Sequence, residues 1–237
     1  LAKGLAYETE LVNGAKATTE SKGAVHVFFA ERETRKIPGI PEATKARAVK
    51  LVAIIGAGTM GGGIAICFAN AGISVILLDT SKEALERGIG VVDKTYAGMV
   101  KRGRLTAEDK AKRMALIRGA LEYTEAKDAD VWIEAVYENV ELKKKIFAAI
   151  DKVAKPGAVL ATNTSTLDIE EIATAVNRPE DIVGMHFFSP ANVMPLLEVV
   201  RTSKTAPDVI RTVMDLSRPL RKTPVLARVC YGFIGNR

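Results

Sequence analysis

Two cysteines, two histidines and one tryptophan among 237 residues leave several chemistries without material. Cys67 and Cys230 cannot build a disulfide framework or a thiolate metal centre, and nothing in them implies an oxidising compartment. Cys67 falls on a helical stretch where a small buried apolar residue is expected. His26 has no ligand candidates beside it, so it reads as a structural or surface histidine, and no metal site is expected. No apolar run approaches the roughly 20 residues of a membrane-spanning helix, and no secretory signal is visible. Aromatics make up only 5% of the chain. The most basic stretch, Lys82 to Arg118, carries ten Lys/Arg against five Asp/Glu but a single aromatic, Tyr96, so nucleic acid is not an expected partner. Two readings of that stretch stay open, a solvated helix face and a landing surface for a polyanionic substrate.

What is plentiful is glycine in one place. Leu51-Val-Ala-Ile-Ile55 runs into Gly56-Ala-Gly-Thr-Met-Gly-Gly-Gly63 and then into Ile64-Ala-Ile-Cys-Phe-Ala69, which reads strand, tight turn, helix. In the spacing Gly56-x-Gly58-x-x-Gly61 the first glycine permits the turn, the second lets a pyrophosphate approach the backbone, and the third lets the helix sit on the strand. The phosphates would meet the unpaired N–H groups of the helix N-terminus. A second apolar strand, Ser74 to Leu78, ends at Asp79, 18 residues after Gly61. A carboxylate there suits the ribose hydroxyls of NAD and repels the extra phosphate of NADP. The competing reading is a glycine-rich turn that binds nothing.

Apolar strands alternate with helical stretches from Val49 onward, the pattern of a Rossmann-type, doubly wound, mostly parallel α/β sheet. A helical pair is inserted in it. Ser81 caps a helix reaching about Arg102, and Thr106-Ala-Glu-Asp109 opens another. Strands are expected at Leu116–Tyr123, Val131–Val136, Ala158–Ala161, Ile182–Met185, Leu196–Val200 and Val225–Val229, with helices at Glu141–Val153, Asp168–Ala175 and Pro207–Leu220. Residues 1–49 differ: helix-compatible sequence interrupted at Asn13-Gly14 and Lys22-Gly23, then Ile37-Pro-Gly-Ile-Pro41 as a breaker. The expected division is a helical tail and linker (1–49), a dinucleotide domain (50–229) and the start of a further helical domain (230–237). Residue 1 is Leu and the sequence stops at Gly235-Asn-Arg237, so both ends are expected to be cut from a longer polypeptide, with Asn236 lacking partners.

In open α/β sheets ligands gather at the carboxyl ends of strands. Glu138-Asn139, Asn163-Thr-Ser165 and His186 fall at such ends. Glu198 lies in the apolar stretch Pro195-Leu-Leu-Glu-Val-Val200, where a carboxylate is costly unless paired. An imidazole is a natural partner, and a His–carboxylate pair suits a general base that takes an alcohol proton. Spacing alone leaves open that His186 and Glu198 are separately satisfied structural groups.

The stretches Gly56-Ala-Gly-Thr-Met-Gly-Gly-Gly-Ile-Ala65, Ala135-Val-Tyr-Glu-Asn139, Thr162-Asn-Thr-Ser-Thr-Leu167, His186-Phe-Phe-Ser-Pro190, Leu197-Glu-Val199 and Tyr231-Gly-Phe-Ile-Gly-Asn-Arg237 together resemble the L-3-hydroxyacyl-CoA dehydrogenase family, in family order from about residue 50. Residues 1–49 resemble the tail of the enoyl-CoA hydratase/isomerase part of multifunctional β-oxidation enzymes. The resemblance implies NAD-dependent oxidation of (S)-3-hydroxyacyl-CoA to 3-oxoacyl-CoA. It makes His186 the base, Glu198 its orienting partner, and Ser165 and Asn236 donors to the reacting oxygen. It assigns Gly56, Gly58, Met60, Gly61, Asp79, Glu138, Asn139, Lys143, Ser165 and Ser189 to the cofactor, and Thr95, Arg102 and Asn236 to the acyl-CoA. Ser189 departs from the pattern, since many relatives carry Asn there. The resemblance further implies a parent that forms homodimers or associates with a thiolase, in the cytoplasm of a bacterium or the peroxisome of a eukaryote. The rivals are a non-catalytic NAD- or acyl-CoA-binding protein of the same fold and a Rossmann oxidoreductase acting on sugar acids. The first requires none of Ser165, His186, Glu198 and Asn236; the second requires a different catalytic pair.

Overall fold

The computed structural model describes residues 1–237 as two compact units, Leu1–Pro38 and Gly39–Arg237. The first unit is a pair of helices, α1 (Ala2–Ala17) and α2 (Thr19–Glu33), neither of which buries a residue. The two glycine pairs expected to interrupt them lie inside the helices. Glycine weakens a helix interior by only about 1 kcal/mol. The break falls instead at Thr18, whose extended backbone and hydroxyl cap the second helix by accepting from Ser21 N at 3.1 Å.

In the second unit, residues from Gly39 lead to the sheet, and Arg47 ties this lead-in down. Its guanidinium donates to Asp208 at 2.8 Å and Asp181 at 2.6 Å, and its backbone N–H donates to Thr212 Oγ1. The Asp208 carboxyl is held below its usual range, chiefly by that guanidinium.

Eight strands form one sheet in the order β3-β2-β1-β4-β5-β6-β7-β8. They are β1 (Leu51–Ile55), β2 (Ser74–Leu78), β3 (Ile117–Ala120), β4 (Val131–Glu134), β5 (Val159–Thr162), β6 (Ile182–Phe187), β7 (Leu196–Arg201) and β8 (Thr223–Arg228). All pairings are parallel except β6 with β7. The central strands read as unbroken apolar runs because helices cover both faces. The order reverses between β1 and β4, the place where doubly wound sheets open a crevice.

Helix α3 (Thr59–Asn70) follows the glycine turn and buries nine residues. Helices α4 (Lys82–Lys101) and α5 (Ala107–Ala115) form the insertion, their first turns closed by the Ser81 and Thr106 hydroxyls. Helices α6 (Val140–Val153), α7 (Ile169–Ala173) and α8 (Pro207–Leu216) complete the layers. Helix α8 stops four residues before the expected Leu220, and the chain turns through Arg221 at φ 56° into β8. Strand β6 runs past the expected Met185 and includes His186, because antiparallel pairing with β7 continues to Phe187.

Candidate active site

Three glycines shape the crevice, each for a different reason. Gly56 sits at φ 99°, and a Cβ there would come within 2.7 Å of Ala135 O. A Cβ on Gly61 would stand 1.7 Å from Gly56 O, so α3 can approach β1 only with glycine at that position. Gly58 meets no atom within 4 Å and faces open space. That vacant position at the N-terminus of α3, with its unpaired N–H groups, fits the close approach of a pyrophosphate. Asp79 accepts from Ala57 N at 2.8 Å and Thr80 N at 2.7 Å. The carboxylate therefore braces the glycine turn as well as lining, with Gly58, Leu121, Tyr137 and Leu142, a cavity of about 490 Å³.

On the other side of Ala135 and Val136 lies a second cavity, of about 360 Å³, lined by Met60, Ser165, His186, Ser189 and Asn236 among others. His186 and Glu198 are direct cross-strand partners in the β6–β7 register, which places their side chains on one face. His186 Nδ1 and Glu198 Oε2 are 2.6 Å apart, and Glu198 is 0% exposed. The imidazole is flanked by two rings, Phe188 at 4.4 Å and Phe233 at 5.8 Å between centroids. With Nδ1 occupied, Nε2 is the nitrogen left for the cavity.

Glu198 has a second task. Its other oxygen accepts from the backbone N–H groups of Ile234 (3.0 Å) and Gly235 (2.7 Å). The segment around Asn236, expected to lack partners, is thus anchored, with Phe233 buried and Asn236 N donating to Gly232 O. Gly235 packs closely there, and a Cβ would stand 2.7 Å from the tip of the Phe188 ring, which would have to shift.

The nucleotide half has its own carboxylate centre. Glu138 Oε1 accepts from Thr164 Oγ1 (2.5 Å), Ser165 N (2.8 Å) and Ser165 Oγ (3.2 Å). Burial works to raise the Glu138 carboxyl, but these donors and Lys143 outweigh it and hold it below the usual range. Lys143, assigned to the cofactor by resemblance, is not presented to the crevice. It is 1% exposed, with its ammonium 2.6 Å from Glu134 and 3.3 Å from Glu138. Asn139 likewise spends its side-chain oxygen capping α6, accepting from Leu142 N at 2.9 Å.

Ser165, His186, Glu198, Ser189, Met60 and Asn236 are brought together. Thr95 and Arg102 are not among the residues lining either cavity; they lie on the outer part of α4 and its C-cap, the Thr95 hydroxyl turned back to Val91 O. Sequence reasoning missed Glu134, which is 0% exposed and holds Val136 N, Lys143 and Thr162 Oγ1. Asn163, placed by the sequence at the carboxyl end of its strand, accepts from Phe187 N through Oδ1 and so joins β5's loop to the histidine strand.

The chain is similar to known proteins along nearly its whole length. Residues 51–230 match the family model for the NAD-binding domain of 3-hydroxyacyl-CoA dehydrogenase. Over 235 residues the chain is 43% identical to a peroxisomal fatty acid beta-oxidation multifunctional protein of Arabidopsis thaliana, covering 99% of this chain and 33% of that one. It is 37% identical over 239 residues to the fatty acid oxidation complex subunit alpha of Psychrobacter cryohalolentis, covering 100% and 33%. The crystal structure of 3-hydroxybutyryl-CoA dehydrogenase from Escherichia coli K12 superposes with a TM-score of 0.78 at 40% identity, over 79% of this chain and 40% of that one. The chain spans about a third of the length of these curated relatives. No helix is long and apolar enough to cross a membrane. With a glycine cradle, an acid after β2 and a sequence match running from β1 to Cys230, the chain belongs to the 3-hydroxyacyl-CoA dehydrogenase family and carries its NAD-binding domain.

Proposed function

We propose that the chain is the cofactor-binding and base-bearing part of an enzyme that oxidises (S)-3-hydroxyacyl-CoA to 3-oxoacyl-CoA in fatty-acid β-oxidation. The observation that carries this reading is the His186–Glu198 pair, a 2.6 Å contact between an imidazole that borders the cavity and a carboxylate wholly enclosed behind it. Glu198 fixes the ring with Nδ1 inward and balances the charge the ring gains when Nε2 takes the proton of the 3-hydroxyl. Ser165 and Asn236, on the same cavity, donate to the substrate oxygen as it becomes a carbonyl. The nicotinamide, when bound, supplies the hydride acceptor. Gly58, Asp79, Met60 and Ser189 hold the cofactor, and Asp79 selects NAD over NADP. Glu138 acts one step back, locking the backbone and hydroxyl of Ser165.

Substrate and assembly follow the same reading. The acyl-CoA is the ligand, with Thr95 and Arg102 as its outer contacts. Relatives named multifunctional match this chain through residues 1–49 as well, which supports reading that stretch as the tail of a hydratase/isomerase part. A relative named as the alpha subunit of a fatty acid oxidation complex supports a parent that assembles with the thiolase consuming its product, or with a second copy. The compartment would be the peroxisome in a eukaryote and the cytoplasm in a bacterium.

Anchoring the Ile234–Gly235 turn occupies one oxygen of Glu198, and a merely structural role gives no reason for the other to face an imidazole that borders the cavity. In the full-length protein His186→Ala should lower turnover by roughly 10²–10⁴, the usual worth of a positioned general base, while calorimetry finds NAD affinity nearly unchanged. Near-normal turnover in that variant would refute the assignment.

A further inference from the structure

Three cations, Arg113, Arg221 and Lys222, line a third cavity of about 300 Å³, bounded by α3, α5 and the turn from α8 into β8. No carboxylate lines it, and none of the three cations has a carboxylate salt-bridge partner, in contrast to Arg47, Lys143, Lys155 and Arg178. Lys222 is 9% exposed. Its ammonium donates to the carbonyls of Ala191 and Met194 and stands within hydrogen-bond reach of the Cys67 thiol, partners that are all neutral and cancel none of its charge. An enclosed cation facing only neutral acceptors is costly unless an anion completes the site.

The neighbouring groups point the same way. Arg113 is held by Asn70 Oδ1 at 2.7 Å, an oxygen that also accepts from the Tyr96 hydroxyl at 3.0 Å, so the guanidinium is fixed before any ligand arrives. Cys67 lines the same wall. Burial pushes its thiol up against the opposing pull of Lys222, so the sulfur adds no negative charge. Arg221 stands at φ 56°, where glycine sits freely and other L-residues are disfavoured. Arginine at a position suited to glycine directs attention to its side chain.

We propose that this cavity is a phosphate-binding site. Two guanidinium groups and an ammonium on one cavity wall suit the charge of a phosphate dianion better than that of a carboxylate, which would leave the group strongly positive. The volume accommodates a phosphate with a small organic body and is separate from the NAD crevice. The phosphate could belong to a free phosphomonoester or to the 3′-phosphate of CoA, and the two sources can be told apart.

The test is calorimetric titration, at constant ionic strength, with inorganic phosphate, 3′,5′-ADP, CoA and dephospho-CoA, on the native chain and on Arg221→Gly and Arg113→Gln. Inorganic phosphate should bind saturably. Each substitution should weaken it by about tenfold or more, the usual loss for one charge-assisted hydrogen bond, and leave NAD affinity unchanged. Arg221→Gly should not lower the thermal midpoint without ligand, because glycine takes the positive φ more readily, so a loss of binding cannot be ascribed to misfolding. CoA binding tighter than dephospho-CoA, with the gap closing in Arg221→Gly, assigns the phosphate to CoA; equal binding of the two, alongside saturable phosphate, assigns it to a free phosphomonoester. Failure of the native chain to bind phosphate, or unchanged phosphate affinity in both variants, overturns the proposal and leaves the dehydrogenase reading untouched.

Discussion

Glu134 and Glu198 are both 0% exposed, both sit on strands of the one sheet, and both accept a backbone N–H in addition to a side-chain donor. Their side-chain partners differ. Glu134 faces Lys143, itself 1% exposed, an ammonium enclosed between two carboxylates and turned away from the crevice. Glu198 faces His186, an imidazole whose second nitrogen is free toward the cavity. The same buried carboxylate is a strut in one half of the crevice and, on the function proposed above, part of the reaction chemistry in the other, and the partner makes the difference.

The comparison breaks most sharply at Lys143. Lys143→Met leaves Glu134 enclosed without its counter-charge and should cost about 3–5 kcal/mol in chemical denaturation. Adding Glu134→Leu in the same chain should recover much of that loss. A single variant that costs less than about 1 kcal/mol would place the pair among ordinary surface bridges.

Glu198→Gln should cost less, about 1–3 kcal/mol, because the amide keeps one acceptor oxygen and loses the other. That one oxygen cannot serve both His186 and the Ile234–Gly235 turn. Hydrogen exchange should therefore speed at those two amides, with turnover falling less than in His186→Ala. Unchanged exchange at both amides would mean that the turn holds itself.

The smallest effect concerns pH. The Glu138 carboxyl is lowered in the fold, so its contribution is present above the unfolded carboxylate value and is lost as pH falls through the lower, folded one. Stability should decline in that acid window, and Glu138→Gln should flatten the decline. An identical acid limb in the variant would show that Ser165's loop does not depend on this charge.

Most of the sheet was legible because its strands are apolar on both sides and its inserted helices open on Ser81 and Thr106 caps. Glu198 was legible for a physical reason, a lone carboxylate in an apolar strand. Val131-Trp-Ile-Glu134 carries the same signal, and Lys143 lies three and four residues before the buried Ile146 and Phe147, the spacing of one helix face. Read together, those two patterns would have turned Lys143 inward. The anchoring of Ile234 and Gly235 was not legible, since a contact across 36 residues leaves no local trace. The glycine-containing helices of the first unit were misjudged because a single glycine weakens a helix without ending it.

The double duty of Glu198 also sets an order in time. A chain leaving the ribosome presents the glycine turn, Asp79, Glu138 and Lys143 about ninety residues before Ile234 and Gly235 emerge to meet their oxygen. At ordinary elongation rates that interval is on the order of ten seconds. Glu198 itself is made only about thirty-five residues before that turn, and until the turn emerges its carboxylate lacks two of its three donors. The histidine and its carboxylate are therefore both made before the turn that completes the carboxylate's hydrogen bonds can close on it.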